Sequence, residues 1–491
     1  MGKVIDFLQV PEAPGSHPHG EKVRAGGGCK HERLTFKDKT VECRSCGRQW
    51  KDYGTGGEKV TTHYFDRSRL EVSHRCPRRE YWEYYYDGKG LQPVKLNQHL
   101  AFGGAVHEAI ASILRYCRDF DALLDMGQVH TAIKNAQSVL RDEFVQAKGF
   151  QSEPILEEGF DGQLVQVTQD QTWLIDHYCD LLEGLVVGWC LVRLPLLMQQ
   201  YRVVQVETEE RLQFPTSYEH GLKPPYYDID LVFLSRPDAI LERRTDGALV
   251  ILSLKTVSQV NQMWLENFKT DQQTISEVLP VEFRLGKEVA GVQVEGLTKG
   301  PQAVDWPRGS GHKHHASPLI WGYLTEAGGL DLEWKARYEW TDEAGNSRRL
   351  GKGWNRQRIA ERYPGGIAEW VGWLYQNDPE LLRAQFPSPP LISRSANELE
   401  EWQTQVKYRE IEVHNALVQI ERYNRTHEVS DPAHSHMALL QVFPKHTTGC
   451  AYDAQFHSKC PCFSLCWGSE GQDPLGSGSF KYRVSNHPEQ G

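Results

Sequence analysis

Apolar positions change period along the chain. Between Gly103 and Cys117, in GGAVHEAIASILRYC, residues Val106, Ala109, Ile110, Ile113 and Leu114 share one helical face. A second amphipathic helix is predicted near 132–147, and a third, strongly apolar, over 172–200. The period then shortens to two: VVQVETEERLQF (203–214), YYDIDLVFL (226–234), PDAILER (237–243) and ALVILSLKT (248–256) all read as strands. A further helix is expected around Gln272. Strands follow over 280–350, ending in the hairpin YEWTDEAGNSRRLG turned at Gly345-Asn346. The last third reads as helices over 366–375 and 399–423, where Val413, Leu417 and Ile420 keep helical spacing. No internal repeat is visible. The pattern implies α/β or α+β: a mixed sheet with helices packed about it.

At 491 residues the chain is long enough for about three structural units. The expected organisation is a flexible tail (1–24), a small basic unit closed by glycines at both ends (25–58), a core (61–280), an insertion of strands and helices (281–400), a helical segment with cysteines (401–470) and a second flexible tail (471–491). The net charge is −10 and 39% of residues are hydrophobic, an ordinary globular composition. That balance excludes a wholly basic nucleic-acid coat and leaves room for a local basic groove. The most apolar stretch, in LLEGLVVGWCLVRLPLL, is bounded by Glu183 and Arg193; it is too short for a bilayer and reads as a core helix. The first residues carry no apolar run of the secretory type, so the expected location is cytoplasmic, away from membranes.

Eleven cysteines fall in clusters, which without an export signal favours metal ligands over disulfides. Cys29-x-His31, eleven residues, then Cys43-x-x-Cys46-Gly47 makes a tetrahedral zinc set of the ribbon kind. The intervening LTFKDKT reads as strands about a polar turn. Seven lysines and arginines from Lys30 to Lys51, with Trp50, would suit nucleic-acid contact, and a purely structural staple fits equally. A second set is Cys450, nine residues, Cys460, five residues, Cys466, with Cys462 between. Cys117, Cys179 and Cys190 lie on apolar helices and read as inert core. His312, His314 and His315, in GSGHKHHASP, read as loop residues, and Trp370 and Trp373 as helix core.

One hairpin carries chemistry. In PDAILERRTDGALVILSLKT, Asp246-Gly247 signals a two-residue type I′ turn. Thr245 then pairs with Ala248, Asp238 lies opposite Lys255, and Ser253 shares the face of Lys255. A surface Asp–Lys pair is the bland reading. The apolar ILSLKT and the preceding Arg236-Pro237 weigh against it.

Pro-Asp, a hairpin, then acid-x-Lys resembles the PD-(D/E)XK nucleases, in the branch of RecB-type and CRISPR-adaptation exonucleases and their phage-encoded relatives. The order of motifs over 61–467 is similar: SHRCPRREYWEYYY with Cys76, GGAVHEA with His107, VVQVETEE with Glu207, PDAIL with Asp238, SLKT with Lys255, then FKTDQQTIS with Gln272 or Gln273. The resemblance implies a restriction-endonuclease-like sheet core. It also implies one or two Mg²⁺ or Mn²⁺ ions held by Asp238, the Leu254 carbonyl, a glutamate and His107, with Lys255 activating water. Cys76, Cys450, Cys460 and Cys466 would bind a [4Fe–4S] cluster, Cys462 being a spare that could replace Cys460; a four-cysteine zinc site competes, since thiolates suit both. The implied partners are DNA bearing an end or a single strand, and proteins of recombination, repair or replication, in the host cytoplasm if the chain is phage-encoded.

Two departures stand out. Ser253 occupies the acidic position of acid-x-Lys, leaving Glu207 or Glu108 to supply the charge, and Ser253→Glu is expected to restore a ligand. The helix with the glutamine has Ser276 or Glu277 where a tyrosine often follows. The rival expectation is a nucleic-acid-binding or scaffold protein whose nuclease site has lapsed.

Overall fold

The computed structural model describes residues 61–94, 96–146, 171–214, 229–258, 260, 262–268, 270–299, 363–377, 379–426, 439–446, 450 and 460–484, with the backbone of short strands elsewhere. The chain divides into two units, 1–61 with 220–228, and 62–219 with 229–491. In the first, β1 (Leu34–Lys37), β2 (Thr40–Cys43) and β3 (Gln49–Lys51) form an antiparallel sheet in that order. Lys37 pairs with Thr40 and Leu34 with Cys43, the hairpin that the polar turn of LTFKDKT predicts. Residues 1–24, Cys29, His31 and Cys46 lie outside the described residues.

The second unit runs, in chain order, through β4 (Thr61–Asp66), α1 (Arg67–Arg75), α2 (Pro77–Glu80), β5 (Leu91–Pro93), α3 (Gln98–Phe120), α4 (Met126–Gln146), β6 (Ile155–Glu158), β7 (Leu164–Val167), α5 (Gln171–Val192), α6 (Leu194–Gln200), β8 (Tyr201–Val206), β9 (Glu210–Phe214), β10 (Ile229–Ser235), β11 (Ala239–Arg243), β12 (Leu249–Val257), α7 (Gln262–Asn267), α8 (Gln272–Ser276), α9 (Val278–Leu285) and β13 (Val289–Thr298). A four-stranded sheet has the order β13-β12-β11-β8, and a three-stranded sheet the order β4-β10-β9. β11 is antiparallel to both neighbours, whereas β12 and β13 are parallel. A parallel pair needs a crossover, and α7 to α9 provide it. The fold is mixed α/β.

Apolar runs on β12 are buried on both faces, as expected of a central strand covered twice. Val250, Leu252 and Leu254 join the core of α3, α4 and α5; Leu249 and Ile251 join that of Phe268, Val278 and Val281. On α3 the predicted face is the buried one. Asn97 caps the helix by accepting from the His99 and Leu100 amides at 3.1 and 3.3 Å.

Several expectations change. The run 203–214 is two strands in different sheets, because Glu207 takes a left-handed φ of 51° between β8 and β9. The helix predicted over 172–200 breaks at Arg193, just before Pro195. Within 281–400, β13 completes the core sheet, and helix Gly366–Asn377 buries Ile367, Trp370 and Val371 in the core that includes α5, so these two elements belong to the core. The tail from 471 is ordered through Phe480–Tyr482, which pairs with β5; residues 485–491 lie outside the described residues. Lys313–Ala316, read as loop, is a strand paired with Gln302–Asp305. The hairpin of Glu339–Thr341 and Ser347–Arg349 agrees with its turn signal. Among the described residues, no single helix is long and apolar enough to cross a membrane; the bent pair Ile175–Val192 and Leu194–Gln200 passes on length and composition, and most of its apolar side chains lie in the core, Leu196 being exposed.

Helix Ala396–Thr426 is tied to β4 and α1 by a buried ion pair between Arg69 and Glu410, which also accepts from His63 Nε2 at 2.9 Å. Arg69 donates further to the Tyr64 carbonyl at 2.9 Å. Removing one partner strands the other charge, so Arg69→Met should cost about 3–5 kcal/mol in urea unfolding. A loss below about 1 kcal/mol would show that His63 alone can neutralise Glu410.

Candidate metal centre

The hairpin of β11 and β12 is longer at its turn than the Asp-Gly signal implies. Arg243 and Ala248 flank a four-residue loop, with the Gly247 amide donating to the Arg243 carbonyl at 2.8 Å and Gly247 at φ 73°. Ala239 therefore pairs with Leu252, and Glu242 with Leu249. Extending that register puts Asp238 level with Ser253 and not with Lys255. The slip is two residues, so every side chain keeps its predicted face.

Asp238 leads into β11, and its carboxylate is held from two sides. Oδ2 accepts the Leu254 amide at 2.6 Å, and Oδ1 lies 2.8 Å from His107 Nδ1. Its own carbonyl accepts the Glu207 amide at 3.1 Å. His107 reaches in because α3 packs closely on β12: a Cβ on Gly103 would sit 3.1 Å from Thr256 Oγ1. Glu207 comes from the end of β8, where its left-handed backbone takes it off the strand. Ligand atoms of His107, Glu207 and Asp238 all lie within 4.8 Å of one another. Donors about 2.0–2.2 Å from a shared cation are at most about 4.4 Å apart, so a small contraction would close the trio on a single ion. One imidazole among carboxylates suits Mn²⁺ better than Mg²⁺.

The charges are tuned by burial and by one another. Burial raises the Asp238 carboxyl, but His107, Lys255 and the Leu254 amide outweigh it and the net shift is downward. Burial lowers His107, yet Asp238 raises it overall. Glu207 is pushed up to about 7 by burial and then by Asp238, against Arg236, whose Nε lies 3.1 Å away. Lys255 is lowered by burial and by Arg67.

A polar cluster on α8 and α9 completes the Lys255 side. The Lys255 ammonium donates to Gln273 Oε1, and Gln273 Nε2 donates to Ser253 Oγ at 3.2 Å and to Glu277 Oε1 at 2.6 Å. The glutamine at the centre is thus Gln273. Gln272 points away, its Nε2 2.9 Å from His74 Nε2. Glu108 is exposed and paired with Arg115 at 2.9 Å, so it brings no charge here. Glu277 was not foreseen as a charge for the site. It is buried and raised to about 7 by burial, while Lys255 and Arg67 pull it down. Its sequence signal was an acid in the place of an expected tyrosine.

The thiols gather at the other end of α1. Cys76 caps α2, the Cys460 amide donates to the Cys450 carbonyl at 3.2 Å, and Cys460 and Cys466 each interact with Cys76. Burial raises the Cys460 thiol to about 11. Cys462 is buried with its Sγ 4.0 Å from Glu83 Oε1, which favours Cys460 over Cys462 as a ligand. Cys117, Cys179 and Cys190 are buried as expected.

No protein-family model matches the chain, and no curated protein matches it.

Cation binding at the trio must displace protons from Glu207 and His107, so affinity should rise with pH through about 7 and level off above it. Metal-free stability runs the opposite way. Glu207 and Glu277 bind protons more tightly folded than unfolded, so stability in EDTA should fall as pH rises from about 4.5 to 7. Calorimetric Mn²⁺ titrations at pH 6 and 8, with thermal midpoints in EDTA, check both; equal Mn²⁺ affinity at the two values would remove Glu207 from the site.

Proposed function

We propose that the chain is a metal-dependent nuclease of the PD-(D/E)XK kind acting on DNA phosphodiesters, in recombination, repair or replication. The observation that carries this reading is the gathering of His107, Glu207 and Asp238 beside a half-buried lysine of lowered pKa. Carboxylates withdrawn from water with no role are costly, and here half-buried Glu207 and Asp238 and buried Glu277 converge with a lysine and a guanidinium.

Bound at the trio, Mn²⁺ or Mg²⁺ would polarise the phosphate and stabilise the leaving oxygen. Asp238 and Glu207 hold the negative charge that keeps such an ion, and His107 gives up its bond to Asp238 to serve as the nitrogen donor. Lys255, held toward Gln273, orients the attacking water and takes part of its developing charge. Gln273 positions Lys255 and carries no charge of its own. Arg67 approaches Glu277 at 4.0 Å and has a buried Nη1 with no hydrogen-bond partner, so it can receive a phosphate oxygen.

Ser253 argues for a lapsed site only if nothing replaces the acid. Glu277 fills that electrostatic role from α9, bridged to Ser253 and Lys255 by Gln273. This favours the enzyme over the binding module.

Two further groups belong to the proposal. Cys76, Cys450, Cys460 and Cys466 would hold a [4Fe–4S] cluster that staples the C-terminal segment to α1 and α2, with zinc as the competing occupant. Cys29, His31, Cys43 and Cys46 would hold Zn²⁺, supported by the β1–β2 hairpin that ends at Cys43. Among the described residues the cysteines form no disulfide, in keeping with a reducing cytoplasm.

Lys255→Ala and Asp238→Asn should each abolish Mn²⁺-dependent cleavage of labelled DNA, by at least about a thousandfold; cleavage surviving in both would end the proposal. Ser253→Glu should now do harm rather than good, because it forces a second carboxylate against Glu277. The expected cost is about 3 kcal/mol in urea unfolding, with no gain in activity. Elemental analysis of anaerobically purified protein should find about four irons and about one zinc per chain, and Cys76→Ser should lose the iron alone; a colourless wild type with about two zincs would assign the C-terminal set to zinc.

A further inference from the structure

The metal centre leaves unexplained a strip of cations and rings that runs from α8 to the thiol-bearing lobe. Gln272 turns away from the centre toward His74 at the end of α1. His74 and Arg75 are both exposed, and His446 Nδ1 donates to the Arg75 carbonyl at 2.9 Å. The neighbouring Lys445 hydrogen-bonds the Cys466 carbonyl, and its ammonium lies 4.5 Å from the centroid of the Trp467 ring. Two more pairs occur in the same lobe: Lys89 over Tyr482 at 4.8 Å and Arg483 over Tyr84 at 4.1 Å.

Trp467 is 51% exposed, whereas Trp82, Trp189, Trp370 and Trp402 are all buried. An open indole with an ammonium fixed against it suits few partners. An apolar protein face would have to desolvate Lys445, and an acidic peptide would have no use for the ring. An unstacked base beside a phosphate uses both. A duplex keeps its bases stacked and offers no free face. Arg75 and Lys445 bring two cations to this part of a chain of net charge −10.

We propose that Trp467 is a base-stacking station for single-stranded nucleic acid, with Lys445 and Arg75 beside the flanking phosphates. From there the strand follows α1, past His74, to the metal centre. The route to the centre rests on the nuclease reading; the station does not, and it can be tested without cleavage.

The test is fluorescence anisotropy of a labelled oligothymidylate with the full chain in EDTA, where nothing is cut. Stacking one base contributes about 1–3 kcal/mol, so Trp467→Ala should weaken binding about tenfold, and Trp467→Phe should recover most of it. Lys445→Gln should lower the salt slope by about one, a readout that does not depend on the ring. A duplex of equal length should bind more weakly and ignore Trp467→Ala. Affinity of Trp467→Ala within about twofold of wild type, at an unchanged thermal midpoint, would overturn the station, as would a duplex equally sensitive to the change. Asp238→Asn separates the two readings: if neither it nor the wild type cuts DNA while the Trp467 effect persists, the nuclease reading falls alone.

Discussion

A carboxylate largely withdrawn from water must be held by something else, and Asp238, its side chain 12% exposed, sets that constraint for this protein. Its two oxygens are taken by a backbone amide of the next strand and by an imidazole from a helix on the other side. Its carbonyl fixes the end of β8 through the Glu207 amide. The hairpin register, the close approach of α3 to β12 and the left-handed turn at Glu207 all meet at this one residue. Shifting any of them would leave a buried charge without partners.

The sheet serves the centre by being covered on both faces. Helices on one side deliver His107, and the crossover between the parallel strands delivers Gln273 and Glu277 on the other. A parallel pair requires such a crossover, so the topology that closes the core is the one that furnishes the polar groups. Ser253 is neutral, and the Glu277 carboxylate at the start of α9 accepts from Gln273 at 2.6 Å. Burial raises two glutamates of the site to about 7, Glu207 further raised by Asp238 and Glu277 pulled back by Lys255.

Away from the sheet, closure depends on residues far apart in sequence. Glu410 meets Arg69 and His63 across 341 and 347 positions, and Arg78 donates to the Phe443 carbonyl at 2.8 Å. These contacts bring Cys76 to the cysteines of the C-terminal segment. They also leave Trp467 facing outward beside Lys445, because the short helix Phe463–Trp467 buries Leu465 and turns its last ring to solvent.

Periodicity alone determined the helical face of α3, the strands that became β11 and β12 and the face that Asp238, Ser253 and Lys255 share, since these follow from spacing of 3.6 and of two. What the sequence could not decide was anything set by a backbone conformation or a distant partner. VVQVETEERLQF has the pattern of one strand, and only a left-handed Glu207 sends its halves to different sheets. Asp246-Gly247 looks like a complete turn, yet the loop takes four residues and moves Asp238 to Ser253. Adjacent glutamines are indistinguishable by type, and a helix of five residues decides that Gln273 faces Lys255 while Gln272 faces His74. Glu277 lies 22 positions beyond Lys255, and no spacing rule connects them; the fold alone brings its carboxylate to the centre, because a charge in a buried site is placed by three-dimensional packing and not by sequence distance.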